Sequence, residues 1–189
     1  GPTVSVNEAG IEAQNRTYQD LLKNKDDEFN FEVLATSEIH KVDLDGNKSL
    51  WKPAGMYRRM SISPDGLYVM LSEVQKPFSY IVTYGRFPTT HRIFTIDGDL
   101  AHVIADIPLI EEMPKGFMST RTGPRRMSWR DDHPATLVWV EALDGGDANK
   151  EADFRDEVYQ LEAPFKAKKK SLAKTELRYS GIDWGNKTT

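Results

Sequence analysis

The stretch from Arg58 to Ser72 constrains the fold more than any other. Arg58-Arg59-Met60-Ser61-Ile62 reads as a strand, Ser63-Pro64-Asp65-Gly66 as a tight turn, and Leu67 to Ser72 as a returning strand. Proline presets φ at the first inner turn position, and glycine supplies the backbone angle that closes the turn. Tyr68, Val69, Met70 and Leu71 are strand-prone and nearly all apolar. That run predicts a strand buried on both faces.

The rest of the chain reads as further strands and turns. Residues 1–15 are polar and irregular, and Thr17 to Leu22 reads as one short helix with Thr17 as its cap and Asp20 in its first turn. Lys23 to Glu28 reads as a charged, solvated connector. Phe29, Phe31 and Val33 alternate with polar residues, and Ile39, Val42 and Leu44 lead to the hairpin signal Asp45-Gly46-Asn47. Ser49-Leu50-Trp51 is the expected return. Phe78 to Tyr84 and Arg92 to Ile96 read as strands on either side of Gly85-Arg86-Phe87-Pro88, and Asp97-Gly98-Asp99 turns the chain into Leu100 to Ile104.

Pro108 to Pro124 breaks the rhythm and reads as a short helical turn plus an exposed loop. Arg126-Met127-Ser128-Trp129 then repeats the logic of the opening stretch, with Ala135 to Glu141 as partner strand. Glu157 to Glu162 and Leu172 to Leu177 follow, with Lys166 to Lys170 as a solvated tip between them. Tyr179 to Trp184 reads as the first strand of another copy.

Ile62, Trp129 and Trp184 occupy equivalent apolar positions before a polar turn. Their spacing is somewhat wider than the roughly 40–50 residues of a four-stranded propeller blade, with loop insertions supplying the excess. The expected fold class is therefore all-β, a partial β-propeller of about two full four-stranded antiparallel blades plus partial blades, with one short N-terminal helix. Residues 1–28 would form an extended lead-in carrying that helix, and 29–189 the partial propeller. Its blades would span about 57–107 and 125–178, with the next starting at 179. Closure needs about four to eight blades, so the chain is expected to belong to something longer, with unpaired strand edges that favour self-association.

Composition excludes several classes of function. A hydrophobic content of 39% supports a folded chain, and a net charge of −4 argues against nucleic acid as the main partner. The absence of cysteine excludes disulfides, thiolate metal sites and a cysteine nucleophile. No apolar run approaches a membrane span. There is no Gly-x-Ser-x-Gly elbow, no phosphate-binding glycine loop and no His-x-x-x-His spacing among His40, His91, His102 and His133. The acidic loops at Asp43 to Asn47 and Asp144 to Asp153 miss the EF-hand pattern and read as turns. No metal, cofactor or catalytic residue is expected.

Arginines are the most suggestive group. Arg121, Arg125, Arg126 and Arg130 cluster around the second inner strand, and Arg86 lies on the Gly-Arg-Phe-Pro crossing. Guanidinium pairs bidentately with carboxylate, so such a lining fits an acidic ligand. Pairing with structural acids such as Asp131, Asp132 or Glu111 is the competing reading.

A set of collinear stretches then resembles one family. They are Arg16 to Lys23, Ala35-Thr36-Ser37, Pro77 to Val82, Gly85-Arg86-Phe87-Pro88, Asp106-Ile107-Pro108-Leu109, Ser128-Trp129-Arg130 with Pro134, Asp144-Gly145-Gly146-Asp147, and Leu177 to Ile182. Together they are similar to the propeller domain of prolyl-oligopeptidase-type serine peptidases, most closely the glutamyl endopeptidase group. The resemblance implies a C-terminal α/β-hydrolase domain carrying the Ser-Asp-His triad, absent from this chain, and peptide substrates cleaved after glutamate. It also implies export or a periplasmic setting. The propeller would gate access and help position substrate, with Arg86, Arg121, Arg125 and Arg130 as substrate-binding candidates. A stand-alone propeller scaffold for protein–protein interaction is the alternative.

Overall fold

Ten strands in three separate antiparallel sheets, with one α-helix, make up the computed structural model, which describes Tyr18 and residues 20–185. The helix α1 spans Lys25–Ala35, followed by β1 (Ser37–Val42), β2 (Lys48–Gly55), β3 (Tyr57–Ile62), β4 (Tyr68–Val74), β5 (Thr89–Thr95) and β6 (Leu100–Ile107). A second group comprises β7 (Arg125–Trp129), β8 (Thr136–Ala142), β9 (Asp156–Glu162) and β10 (Lys170–Thr175). Strands β1 and β2 form a hairpin; the two larger sheets run β3-β4-β5-β6 and β10-β9-β8-β7, and none of the three closes on itself.

The helix is not where the sequence reading puts it. Residues 20–24 are not helical, and Thr17 and Gln19 lie outside the described residues. Asn24 is the cap, its side-chain oxygen accepting the Asp27 amide at 2.9 Å, and Asp26, Asp27 and Glu28 favour the positive end of the helix dipole. The alternation of Phe29, Phe31 and Val33, taken for a strand, is incidental. Only Phe31 turns inward, with its ring edge-on to Phe78 and Phe87 at 5.1 and 5.6 Å, while Phe29 and Val33 are exposed.

Two other expected strands are also absent. Phe78 to Tyr84 forms an irregular segment ending in a single 3-10 turn at Tyr84–Arg86. Its β-prone residues pack instead: Phe78, Val82 and Phe87 bury with Val74 against Phe31 and Leu22. Tyr179 to Trp184 has no ladder partner among the described residues and is irregular, with Tyr179 and Trp184 lying against Val138, Val140 and Val158. Strand geometry depends on a paired neighbour, which propensity alone cannot supply.

The Arg58–Ser72 reading holds. Gly66 closes the turn at φ 75°, its amide donating to the Ser63 carbonyl at 2.8 Å. Val69, Met70, Leu71 and Ser72 of β4 are all buried, as expected for a strand covered on both faces. On one side Met70 and Ile93 join Met127, Trp129, Leu137, Trp139, Leu161 and Phe165 from the second large sheet. Fully burying each such side chain contributes about 1.5–3 kcal/mol. Polar bonds fix the alignment of the sheets: the Trp129 indole donates to the Ser61 carbonyl at 3.2 Å, and the Asp65 amide to the Pro134 carbonyl at 2.9 Å. The β1–β2 hairpin caps the other end of β5, with Trp51 edge-on to Phe94 and its indole bonded to the Ile96 carbonyl.

A buried ionic network holds the second sheet to its loops. The side chains of Asp144 and Asp156 are completely buried. Arg178 donates to both Asp144 oxygens at 2.8 and 2.6 Å and to Asp156 at 3.0 Å; Arg155 reaches Asp144 at 2.9 Å, and Arg125 pairs with Asp156. The Tyr179 and Gly146 amides complete the set. Burial raises the Asp144 carboxyl, but the bonds from Arg178 and Arg155 outweigh it and hold the group below its ordinary value. A depressed folded value contributes stability that is full above the unfolded value and lost as pH falls through the folded one. Asp144→Asn is expected to remove about 3–5 kcal/mol at pH 7, by leaving buried guanidinium charge uncompensated. Urea unfolding of the two proteins checks this; a loss below about 1 kcal/mol would mean the network does not stabilise the fold.

Candidate functional site

Strands β3 and β7 are the free edges of their sheets, and they carry the same tetrapeptide: Arg58-Arg59-Met60-Ser61 and Arg125-Arg126-Met127-Ser128. Each pairing is irregular at the arginines, with register shifts between Tyr57 and Arg59 and between Arg125 and Ser128. Such bulges re-aim side chains. At Arg126 the backbone adopts φ 53°, and the paired arginines part: Arg125 turns inward to Asp156, while Arg126 remains exposed.

The result is a cleft of about 280 Å³ lined by Arg58, Arg59, Arg121 and Arg126, with Ser72, His91, Thr89 and the apolar Met70, Phe87, Ile107, Ile110 and Met127. Among the described residues no carboxylate lines it, and none of its four arginines is in an ion pair. Arg121 donates to the carbonyls of Thr122 and Pro124, Arg126 to that of Ser180 at 2.7 Å, and Arg58 lies 5.1 Å from the Tyr84 ring centre. A shallower groove of about 720 Å³ continues from Arg59 and Arg126 past Ser61, Ile62 and Trp129 to Tyr179 and Trp184.

Arg121 is placed by the buried network. The Asp144 carboxylate accepts the Gly146 amide, and the Gly146 carbonyl accepts the Thr120 amide at 2.9 Å. Gly146 has φ +81°, and a Cβ there would collide with the Thr120 carbonyl, so the approach requires glycine. Burial, with Arg125 nearby, lowers the pKa of Arg121 from its ordinary value.

His91 lies across from Ser72 in the β4–β5 register, with Ser72 Oγ 2.8 Å from His91 Nδ1. Burial first, then the guanidiniums of Arg121, Arg58 and Arg59, push the imidazole down to about 4, against the opposing pull of Asp106. The ring is therefore neutral at pH 7. So weak a base is poorly matched to activating a hydroxyl near neutral pH, and Ser72 is buried within its strand. The pair is a polar element of the cleft wall.

Of the four substrate-binding candidates, only Arg121 lines this cleft, together with Arg126 of the same arginine cluster. Arg125 is held by Asp156. Arg130 is held by Asp132 through two bonds of 2.9 and 2.6 Å, donates to Gln160 and lies over Trp184. Arg86 stacks toward Tyr18 at 5.7 Å from its ring centre. Arg58, Arg59 and His91 carry no such assignment in the sequence reading, although the repeated Arg-Arg-Met-Ser points to both arginines. Among the described residues, no group of three or more metal-ligating side chains occurs, and no helix is long and apolar enough to cross a membrane.

The chain is similar to two curated plant proteins. It is 41% identical over 186 residues to a probable chloroplastic glutamyl endopeptidase of Oryza sativa subsp. japonica, an alignment covering 97% of this chain and 20% of that protein. It is 40% identical over 191 residues to the protein of the same description from Arabidopsis thaliana, covering 100% of this chain and 20% of that protein. The chain thus spans 20% of the length of these relatives. No family model matches it, and no solved structure does.

The two classes of arginine separate by stability. Arg59→Ala, at an exposed side chain with no acid partner, is expected to change unfolding free energy by less than about 0.5 kcal/mol. Arg125→Ala, which takes one of two guanidiniums from the buried Asp156 and leaves it Arg178 and the Tyr179 amide, is expected to remove about 1–3 kcal/mol, measured by chemical denaturation of the same preparations.

Proposed function

We propose that this chain is a non-catalytic portion of a serine endopeptidase of the glutamyl endopeptidase kind, and that it gates and helps position peptide substrates. The observation that carries this reading is the similarity to two relatives of that description across almost the whole chain. On this reading the two four-stranded meanders are propeller blades, with domain limits near 57–107 and 125–178. Strands β3 and β7 are their inner strands, facing a shared channel. A C-terminal α/β-hydrolase domain of the same protein would supply the nucleophile.

The unpaired arginines Arg58, Arg59, Arg121 and Arg126 then hold acidic groups of the substrate, and the groove beside Trp129 and Trp184 takes adjoining apolar residues. Arg125 and Arg130 support that surface through Asp156 and Asp132. Arg86, at the rim near Tyr18, contributes positive charge without lining the cleft. A serine-directed inhibitor has nothing to act on in this chain.

Two measurements test the reading. The 189-residue chain is expected to hydrolyse no glutamyl peptide, and inhibitor-sensitive cleavage by the pure chain would overturn the non-catalytic assignment. In the full-length protein, Arg59→Glu and Arg121→Glu are expected to lower kcat/KM for acidic peptides by at least about tenfold, a loss of about 1.4 kcal/mol of transition-state stabilisation. Peptides without other acidic groups should be affected less, and unchanged kinetics in both variants would remove the cleft from substrate recognition.

A further inference from the structure

We infer that His91 is the proton-accepting, specificity-determining residue of the arginine cleft: an acidic group that enters among Arg58, Arg59, Arg121 and Arg126 brings a proton to His91 with it. The inference rests on the reading of the cleft as an acid-binding site and gives that site its regulation.

The geometry supplies each requirement. Positive groups act on the imidazole from two elements, Arg58 and Arg59 from β3 and Arg121 from the 108–124 segment, and Arg126 of β7 lines the same cleft. From β4 the only polar neighbour lining the cleft is Ser72, bonded to Nδ1 at 2.8 Å. The negative charge acting on the ring is Asp106 of β6, itself paired with Arg92 at 3.1 Å. An anion in the cleft offsets the guanidiniums' share of that suppression, while burial, the larger cause, remains.

Ser72 makes the change of state possible without rearrangement. A hydroxyl donates to an unprotonated imidazole nitrogen and accepts from a protonated one, so the Ser72–His91 bond survives proton uptake. Nε2, already a donor in the tautomer whose Nδ1 accepts from Ser72, stays a donor, and the gain on protonation is the positive charge of the ring. In the empty cleft, burial and the neighbouring guanidiniums oppose protonation; an anion removes the second of these causes.

The sign follows from linkage. If the proton is held more tightly with anion bound than without, the anion is held more tightly at low pH. A rise of about one pH unit in the His91 midpoint from about 4 would make binding about twofold tighter at pH 5 than at pH 7. Arginines do not titrate in that range, so the cleft cations leave the effect to the imidazole.

The test uses the full 189-residue chain and inorganic sulfate, which stays ionised throughout, at constant ionic strength set with chloride. The His91 ring resonance, assigned sequentially, is titrated by NMR with and without sulfate, and sulfate affinity is measured at pH 5 and pH 7. The expected result is a midpoint raised by at least about one pH unit, with affinity rising toward pH 5. His91→Gln should lose the rise in sulfate affinity from pH 7 to pH 5, and a variant that keeps it overturns the inference. Sulfate binding that Arg59→Glu abolishes, with an unmoved His91 midpoint, overturns this inference and leaves the cleft reading intact. No sulfate binding at either pH, or binding indifferent to Arg59→Glu and Arg126→Glu, overturns both. The wild-type titration needs no variant, so it decides the matter even if His91→Gln misfolds.

Discussion

Two completely buried carboxylates, Asp144 and Asp156, impose the constraint on which the second half of the molecule depends. A carboxylate removed from water is tolerated only when charge and hydrogen bonds replace the water. Arg125, Arg155 and Arg178 do so, and they reach the site from β7, from the loop before β9 and from the segment after β10. One pair of acids thereby ties an edge strand, a long loop and the chain beyond the sheet to a common point. Apolar packing between the sheets provides the larger share of stability, but it is non-directional. The ionic network has direction, and that fixes where the surface arginines go.

The consequence is a division of labour within a repeated motif. Arg58-Arg59 and Arg125-Arg126 begin as the same dipeptide on edge strands of the same kind. In the second copy the network claims the first arginine, and a residue at φ 53° turns the other outward. In the first copy no acid claims either. The cleft therefore receives charge from both sheets, while the neutralising acids sit behind β7 and beyond reach. Arg121 is added through the Asp144–Gly146–Thr120 relay, so a buried carboxylate indirectly positions a cleft cation.

The sequence made much of this legible, for identifiable reasons. Turns with strict backbone demands, at Asp45-Gly46-Asn47, Pro64-Asp65-Gly66 and Asp97-Gly98-Asp99, were readable because few residues satisfy those angles. Strands with a continuous apolar run, β4 and β8, were readable because burial on both faces leaves a simple trace. Phe29-x-Phe31-x-Val33 misled because three residues satisfy period two by accident, whereas Asn24 and the acidic first turn carried the true signal. Phe78 to Tyr84 misled because its aromatic and β-branched residues serve packing against Phe31 rather than a ladder.

The site was less legible than the fold, because a free arginine and a paired one look identical in a sequence. What separates Arg126 from Arg125, or Arg121 from Arg130, is the distance to a carboxylate, and Asp156 lies far along the chain from Arg125. The acidic loop at Asp144 reads as a turn in the sequence; its first carboxylate instead faces inward onto two arginines. His91 has no motif around it at all. Its character comes from burial and from three guanidiniums delivered by two separate elements, so the property exists only once β3 and the 108–124 segment have packed around the ring. A basic cleft of this kind is a product of exclusion: acids elsewhere are consumed by structural pairing, and the cations left over converge where the two edge strands meet.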